Sequence, residues 1–171
     1  EMMLDSLFTQ SSELLGEDTE DVTGLIGQYA HGNEPSHHVA YLYNYIGKPE
    51  KTQFYVAKII REFYQNSPEG LCGNEDCGQL SAWYVFSALG MYPVNPVEGK
   101  YWLGSPQFES AEINLPNGKR FTIKANHILA ENIYIASAKL NGQPFGRNYI
   151  TWEEIQQGGT LEFEMTGTFS N

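Results

Sequence analysis

Two short segments hold most of the groups that could do chemistry. The first is His31-Gly32-Asn33-Glu34-Pro35-Ser36-His37-His38, and the second is Gly70-Leu71-Cys72-Gly73-Asn74-Glu75-Asp76-Cys77-Gly78-Gln79. Each sets acids and amides just ahead of an aromatic run, Tyr41 and Tyr45 in one case and Trp83 and Tyr84 in the other. If both runs are helices, the acids lie at helix N-termini, whose unpaired N–H groups stabilise a carboxylate by about 0.3–1 kcal/mol and favour its ionised form. Ionised carboxylates suit a general base, or a hard cation such as Ca2+, better than a general acid, which needs a raised pKa. The plainer reading is capping: Asn33 or Glu34 closes one helix and Asn74 to Asp76 the other, each worth about 0.5–2 kcal/mol. The residues alone leave both readings open. His37 and His38 fit ordinary, partly buried histidines as well as ligand contacts, and as helix neighbours they point about 100° apart, so one zinc ion does not take both. His31 and His127 stand in no pattern that carries a role.

The elements that must position these groups follow from apolar spacing. Up to about residue 92 apolar residues recur at helical intervals, and from 93 onward short alternating runs are broken by Gly, Pro and Asn-Gly pairs. This divides the chain into a helical part, 1–92, and a β-rich part, 93–171. Helices are expected over 1–15, 35–46, 49–65 (with Phe54, Ala57, Ile60 and Tyr64 on one stripe) and 79–89, with Gly16 to Asp21 as an acidic connection. Pro35 suits a first helical turn, and Gly47 and Gly90 suit helix ends. The short turn at Lys48-Pro49 makes the second and third helices antiparallel, and the loop 66–78 turns the chain back again. The second and fourth helices are then parallel, which places Glu34 and Asp76 across one mouth. Strands are expected over 101–104, 111–115, 120–126, 131–140 and 160–165. Asn117-Gly118 and Asn141-Gly142 are two-residue hairpin signals, and the whole reads as a small antiparallel β-sheet with one buried face. The fold class is α+β, and no internal repeat or low-complexity segment is present.

Composition narrows the ligand. The 171 residues carry 10 Lys and Arg against 21 Asp and Glu, a formal net charge of −11. That sign repels phosphate backbones, which excludes nucleic acid as a natural partner. No apolar run approaches the roughly 20 residues of a bilayer-spanning helix. The aromatic complement is high for an acidic domain, with 11 Tyr, 9 Phe and 3 Trp. Aromatic faces beside carboxylates suit neutral, hydroxyl-rich or cationic ligands, and carbohydrate heads that list. Cys72 and Cys77, spaced C-x4-C, lack the second pair of a four-ligand zinc site, and a small disulfide or two free thiols fit equally. A first residue of Glu1, with no basic-then-apolar leader behind it, reads as a fragment or a processed chain.

The strings Gly24-Leu25-Ile26-Gly27-Gln28-Tyr29-Ala30-His31-Gly32-Asn33-Glu34-Pro35-Ser36-His37-His38 and Tyr41-Leu42-Tyr43-Asn44-Tyr45 resemble glycoside hydrolase family 92. So does the run from Gly70 through Gln79 to Leu80-Ser81-Ala82-Trp83-Tyr84-Val85-Phe86-Ser87-Ala88-Leu89-Gly90, together with Gly104-Ser105-Pro106 and Leu140-Asn141-Gly142. The resemblance implies an exo-acting, calcium-dependent α-mannosidase that inverts the anomeric centre, secreted or periplasmic in bacteria, and built from a β-sandwich and an (α/α)6 toroid. This chain would supply the last toroid helices and the β structure that follows them. Asp76 matches the general base, and the resemblance implies that it sits close enough to the expected metal to interact with the ion or its water. Asn74 stands where some relatives carry a second Asp. Glu34 matches a residue of the leaving-sugar subsite, Asn33 replaces a His found in members that prefer α-1,2 linkages, and His37 and His38 lie on the substrate side of the same loop. The family's general acid, a Glu in a Glu-Gly-Asn-Ala-Trp stretch, has no counterpart here, so the chain alone is expected to be inactive. The implied cofactor is Ca2+ and the implied partner a mannose-containing glycan. Helices cut from a closed ring leave apolar faces bare, so the isolated chain is expected either to dimerise or to hold its loops displaced from their arrangement in the intact enzyme. A non-catalytic carbohydrate-binding module and a structural interaction domain are the competing readings.

Overall fold

The computed structural model describes residues 1–14 and 22–169. The expected acidic connection Gly16 to Asp21, and the end of the first helix at residue 15, lie outside the described residues. The first helix, α1 (Met2–Thr9), is shorter than expected and ends at an extended Gln10, where Ser11 and Ser12 favour local side-chain bonds over helix. Its buried Phe8 stacks on Tyr55 with ring centroids 4.0 Å apart.

A hairpin of β1 (Leu25–Ile26) and β2 (Tyr29–Ala30) comes next. The helix expected over 35–46 is instead two 3-10 segments, Glu34–Ser36 and Val39–Ile46. In the second, Ala40, Tyr41, Tyr43 and Asn44 are buried. A period of 3.0 aligns 40 with 43 and 41 with 44 in two columns against the core, an arrangement the α-helical period would splay. α2 (Pro49–Phe63) begins on a proline and buries Thr52, Gln53, Val56, Ala57, Ile59 and Ile60. Its stripe is rotated from the expected one, so Phe54 is exposed. α3 (Gln79–Ala88) follows the loop 66–78 and carries the buried Trp83 at its centre.

The chain from Met91 onward, two residues ahead of the expected boundary, forms two sheets. β3 (Met91–Tyr92), β4 (Lys100–Leu103) and β9 (Tyr149–Thr151) make a three-stranded wall. Its alternation serves two cores: Tyr92, Trp102 and Tyr149 face the helices, while Met91, Leu103 and Ile150 face the other sheet. The second sheet has the order β5 (Ser110–Asn114), β6 (Arg120–Asn126), β10 (Gly159–Thr166), β7 (Tyr134–Leu140), β8 (Gln143–Pro144). The expectation of an all-antiparallel sheet is corrected here, because β10 pairs parallel with β6 and antiparallel with β7. The chain reaches β10 through β9 and the short helix α4 (Trp152–Gln156), and this long return lets a late strand slot between two earlier ones. Phe121, Ile123 and Ala125 of β6 and Leu161, Phe163 and Met165 of β10 form one buried face.

The two hairpin signals resolve differently. Asn141 (φ 52°) and Gly142 (φ 78°) are both left-handed and join Leu140 to Gln143, as a two-residue turn requires. At Asn117-Gly118 only Gly118 is left-handed. The Gly118 N–H donates to Leu115 O at 3.0 Å and the Leu115 N–H to Lys119 O at 2.9 Å, a three-residue loop. Pro116 explains it, since a two-residue turn would ask it for a ladder N–H that proline lacks. No helix among the described residues is long and apolar enough to cross a membrane.

Candidate active site

The first loop leaves the β1–β2 hairpin with its pairing intact: the His31 N–H donates to Gly24 O at 2.9 Å and the Gly32 N–H to Thr23 O at 3.0 Å. Asn33 and Glu34 then emerge, both exposed. Pro35 fixes the turn that follows, and neither Asn33 nor His38 caps the 3-10 segment behind it with its side chain. His38 is exposed and His37 is buried.

The buried hydrogen bonds fix the ring states. His37 Nε2 faces His31 O at 3.0 Å, and a carbonyl only accepts, so Nε2 carries the proton. Nδ1 then accepts from Gln79 Nε2 at 3.2 Å, and that same amide nitrogen reaches Tyr92 Oη at 3.2 Å. The His37 carbonyl accepts from Trp83 Nε1 at 2.9 Å. His37 therefore ties the first loop to α3, and burial lowers its pKa so the ring stays neutral. His31 is fully buried. Tyr64 donates to Leu80 O at 3.1 Å, so it accepts from His31 Nε2–H at 2.7 Å, which leaves Nδ1 to accept from the Tyr29 hydroxyl at 2.8 Å. Burial first, and His37 second, push the His31 pKa down to about 3. Sequence reasoning passed over His31, yet the strand alternation of Tyr29, Ala30 and His31 puts the first and third side chains on one face. Gln79, quoted only as part of a motif, proves to be the bridge between His37 and Tyr92.

The second loop is strained. Asp76 (φ 44°), Cys77 (φ 58°) and Gly78 (φ 85°) are left-handed in succession, at a cost of about 1–2 kcal/mol for each residue with a Cβ. Such strain persists only where the surroundings enforce it, and it gathers at sites of function. Glu75 takes the helix end: it accepts from the Ser81 N–H at 3.0 Å and the Ser81 hydroxyl at 2.7 Å, bonds that hold its pKa low. With the first turn of α3 served by Glu75, Asn74 and Asp76 are exposed and their side chains make no capping bond. Cys72 is half-buried and Cys77 exposed, both as free thiols.

Asp76 and Glu34 are neighbours across the two loops: desolvation first, then the nearby Glu34 carboxyl, raise the Asp76 pKa. This runs against the expectation that a helix N-terminus favours the ionised form of Asp76, because desolvation and the neighbouring Glu34 carboxyl act the other way. Among the described residues neither acid has an ion-pair partner, and no group of three or more His, Cys, Asp and Glu side chains is placed to hold a metal ion. A groove of about 520 Å3 lies beside α3, lined by Tyr64, Leu71, Tyr84 and Val85, and includes neither acid. The carboxylate mouth is thus an open surface where Glu34 and Asp76 are neighbours, with the buried His37 near both; Asn33, Asn74 and His38 are exposed on the same two loops.

A sequence model of the glycosyl hydrolase family 92 catalytic domain matches residues 1–167. A family GH92 α-mannosidase from Bacteroides thetaiotaomicron, solved with mannoimidazole, is similar to this chain with a TM-score of 0.92 and 43% identity over 98% of it. A family GH92 inverting mannosidase from the same organism has a TM-score of 0.82 and 42% identity over 98%. An uncharacterised secreted glycosidase of Arthroderma benhamiae is 35% identical over 137 residues, 78% of this chain. The chain spans 22%, 24% and 18% of the length of these three proteins. By its match over nearly its whole length, the chain belongs to glycosyl hydrolase family 92.

Proposed function

We propose that this chain is the C-terminal part of a secreted, calcium-dependent exo-α-mannosidase that removes terminal α-linked mannose from glycans with inversion. Asp76 is the general base, drawing a proton from the water that attacks the anomeric carbon. The acid that protonates the leaving oxygen is a Glu outside this chain, so the chain alone does not turn over. Asn33 and Glu34 contact the leaving sugar, His38 borders the same subsite, and His37 holds the loop rather than the ligand. Asn74 shares the rim with Asp76 and orients the substrate or water by its amide. The observation that carries this reading is the proximity of two exposed carboxyls, Glu34 of the first loop and Asp76 of the strained second loop, whose helix-capping duty falls to Glu75. A raised pKa moves a carboxylate toward the range where it serves best as a base.

The donor set fits a hard cation in part. Two uncompensated carboxylates favour Ca2+, which prefers six to eight oxygen ligands, and Asp76 is the group through which this chain meets the ion or its water. The remaining ligands are water, sugar hydroxyls and residues outside the chain. When bound, Ca2+ supplies charge stabilisation and holds sugar hydroxyls in place. The test is hydrolysis of a terminal α-mannoside by the full-length protein, with the first-formed anomer followed by proton NMR. The reading expects β-mannose first and loss of turnover on chelation. Retention of configuration, or full activity without Ca2+, contradicts it.

A further inference from the structure

The two acidic loops exchange no backbone hydrogen bond among the described residues, yet Glu34 and Asp76 are close enough to influence one another. What sets their spacing is a close approach of glycines. A Cβ on Gly73 would stand 2.6 Å from Gly32 Cα, and nearer still to Gly32 O. Gly32 is itself pressed by Thr23, whose Oγ1 occupies the place a Gly32 Cβ would take. Gly24 completes the stack: a Cβ there would meet Cys72 Sγ at 2.7 Å and Gly32 N at 3.2 Å. Residues 23–24, 31–32 and 72–73 thus form three backbone layers, the first two joined by the hairpin bonds described above. Glu34 lies two residues beyond the middle layer and Asp76 three beyond the outer one. The far end of the second loop is anchored by a bridge between Leu71 and Tyr64.

We infer that the contact of Gly73 on Gly32, backed by Thr23, is the positioning device that sets the distance between the Glu34 and Asp76 carboxyls. The inference rests on the function proposed above and adds to it a pair of positioning residues. Glycine is needed because any side chain would part the layers. Carbon atoms in contact sit about 3.5 Å apart, so an alanine Cβ now facing a carbon at 2.6 Å must move one loop by about 1 Å. A misplacement of about 1 Å can lower turnover by about 10²-fold, and it does so without removing a group that binds the sugar.

The test compares variants of the full-length enzyme on an aryl α-mannoside, with kcat, KM and thermal midpoint measured for each. Gly73→Ala is expected to lower kcat by about 10²-fold with KM close to that of the parent. Gly27→Ala is the comparator: its Cβ would stand 2.5 Å from Leu7 O, an equally tight site away from the mouth. It is expected to lower the thermal midpoint and leave kcat of the folded enzyme near that of the parent. Should Gly73→Ala fail to fold, Gly32→Ala is made alone and with Thr23→Gly, which vacates the space the new Cβ needs. The single variant is expected to lose kcat and the pair to regain most of it. A folded Gly73→Ala or Gly32→Ala with the parent's kcat, an equal loss in Gly27→Ala, or a pair no better than Gly32→Ala overturns the inference. A parent that does not cleave the mannoside overturns the proposed function instead.

Discussion

In β6 and β10 the chain alternates buried and outward side chains in matched register, whereas across the mouth three successive residues are left-handed and two carboxyls face one another. One region spends its sequence on stability and the other holds its groups against their own preferences. The contrast separates two kinds of substitution: those in the sheet should change how much enzyme is folded, and those at the mouth should change what the folded enzyme does.

The largest stability effect is expected at Phe163, fully buried in β10. Phe163→Ala should cost about 3–5 kcal/mol by the loss of burial and the cavity left behind. Denaturant unfolding measures it, and turnover of the folded fraction should not move; a parallel loss of turnover breaks the contrast. Next comes pH. His31 titrates near 6.5 when unfolded and near 3 when folded, so below the first value the unfolded chain binds a proton that the folded chain refuses. Stability is present in full above pH 6.5 and falls as pH drops toward about 3, by about 1.4 kcal/mol per pH unit for this group. Urea midpoints across that range should drop less steeply in His31→Gln than in the parent. An identical slope removes His31 from the account.

Glu75→Ala sharpens the contrast within one loop. Loss of the cap on α3 should cost about 0.5–2 kcal/mol, measured as a lower thermal midpoint, while kcat holds because Asp76 keeps its contact with Glu34. A collapse of kcat would show that the two neighbours do not divide their duties. The smallest effect belongs to Arg120→Ala in β6, whose pair with Glu112 at 3.2 Å is more than half exposed on both sides. Such pairs contribute about 0–1 kcal/mol, so the unfolding midpoint should barely change.

Legibility followed the same divide. The strands containing Phe121, Ile123, Leu161 and Phe163 could be read from alternation, because period two has one structural meaning when one face is buried. Their order could not, since the parallel pairing of β10 with β6 depends on where a long return lands rather than on any local residue. At the mouth the residue types were readable and the geometry was not. Acids before aromatic runs implied helix caps, and the capping fell to Glu75 alone because the left-handed turn at Asp76 and Cys77 aims the loop elsewhere. The 3-10 winding of Val39–Ile46 escaped notice because 3.0 and 3.6 residues per turn differ little over eight residues. The Gly32–Gly73 contact was invisible because the absence of a side chain leaves no periodicity to detect.

The central claim is that Asp76 does its work as a base at a mouth formed with Glu34. Its most direct test is Asp76→Asn in the full-length enzyme, with turnover of a terminal α-mannoside and binding of mannoimidazole measured on the same preparation. Removal of a general base should lower kcat by about 10²–10⁴-fold, with mannoimidazole still bound and the thermal midpoint unchanged. Turnover near that of the parent, in a folded variant that binds the ligand, contradicts the account.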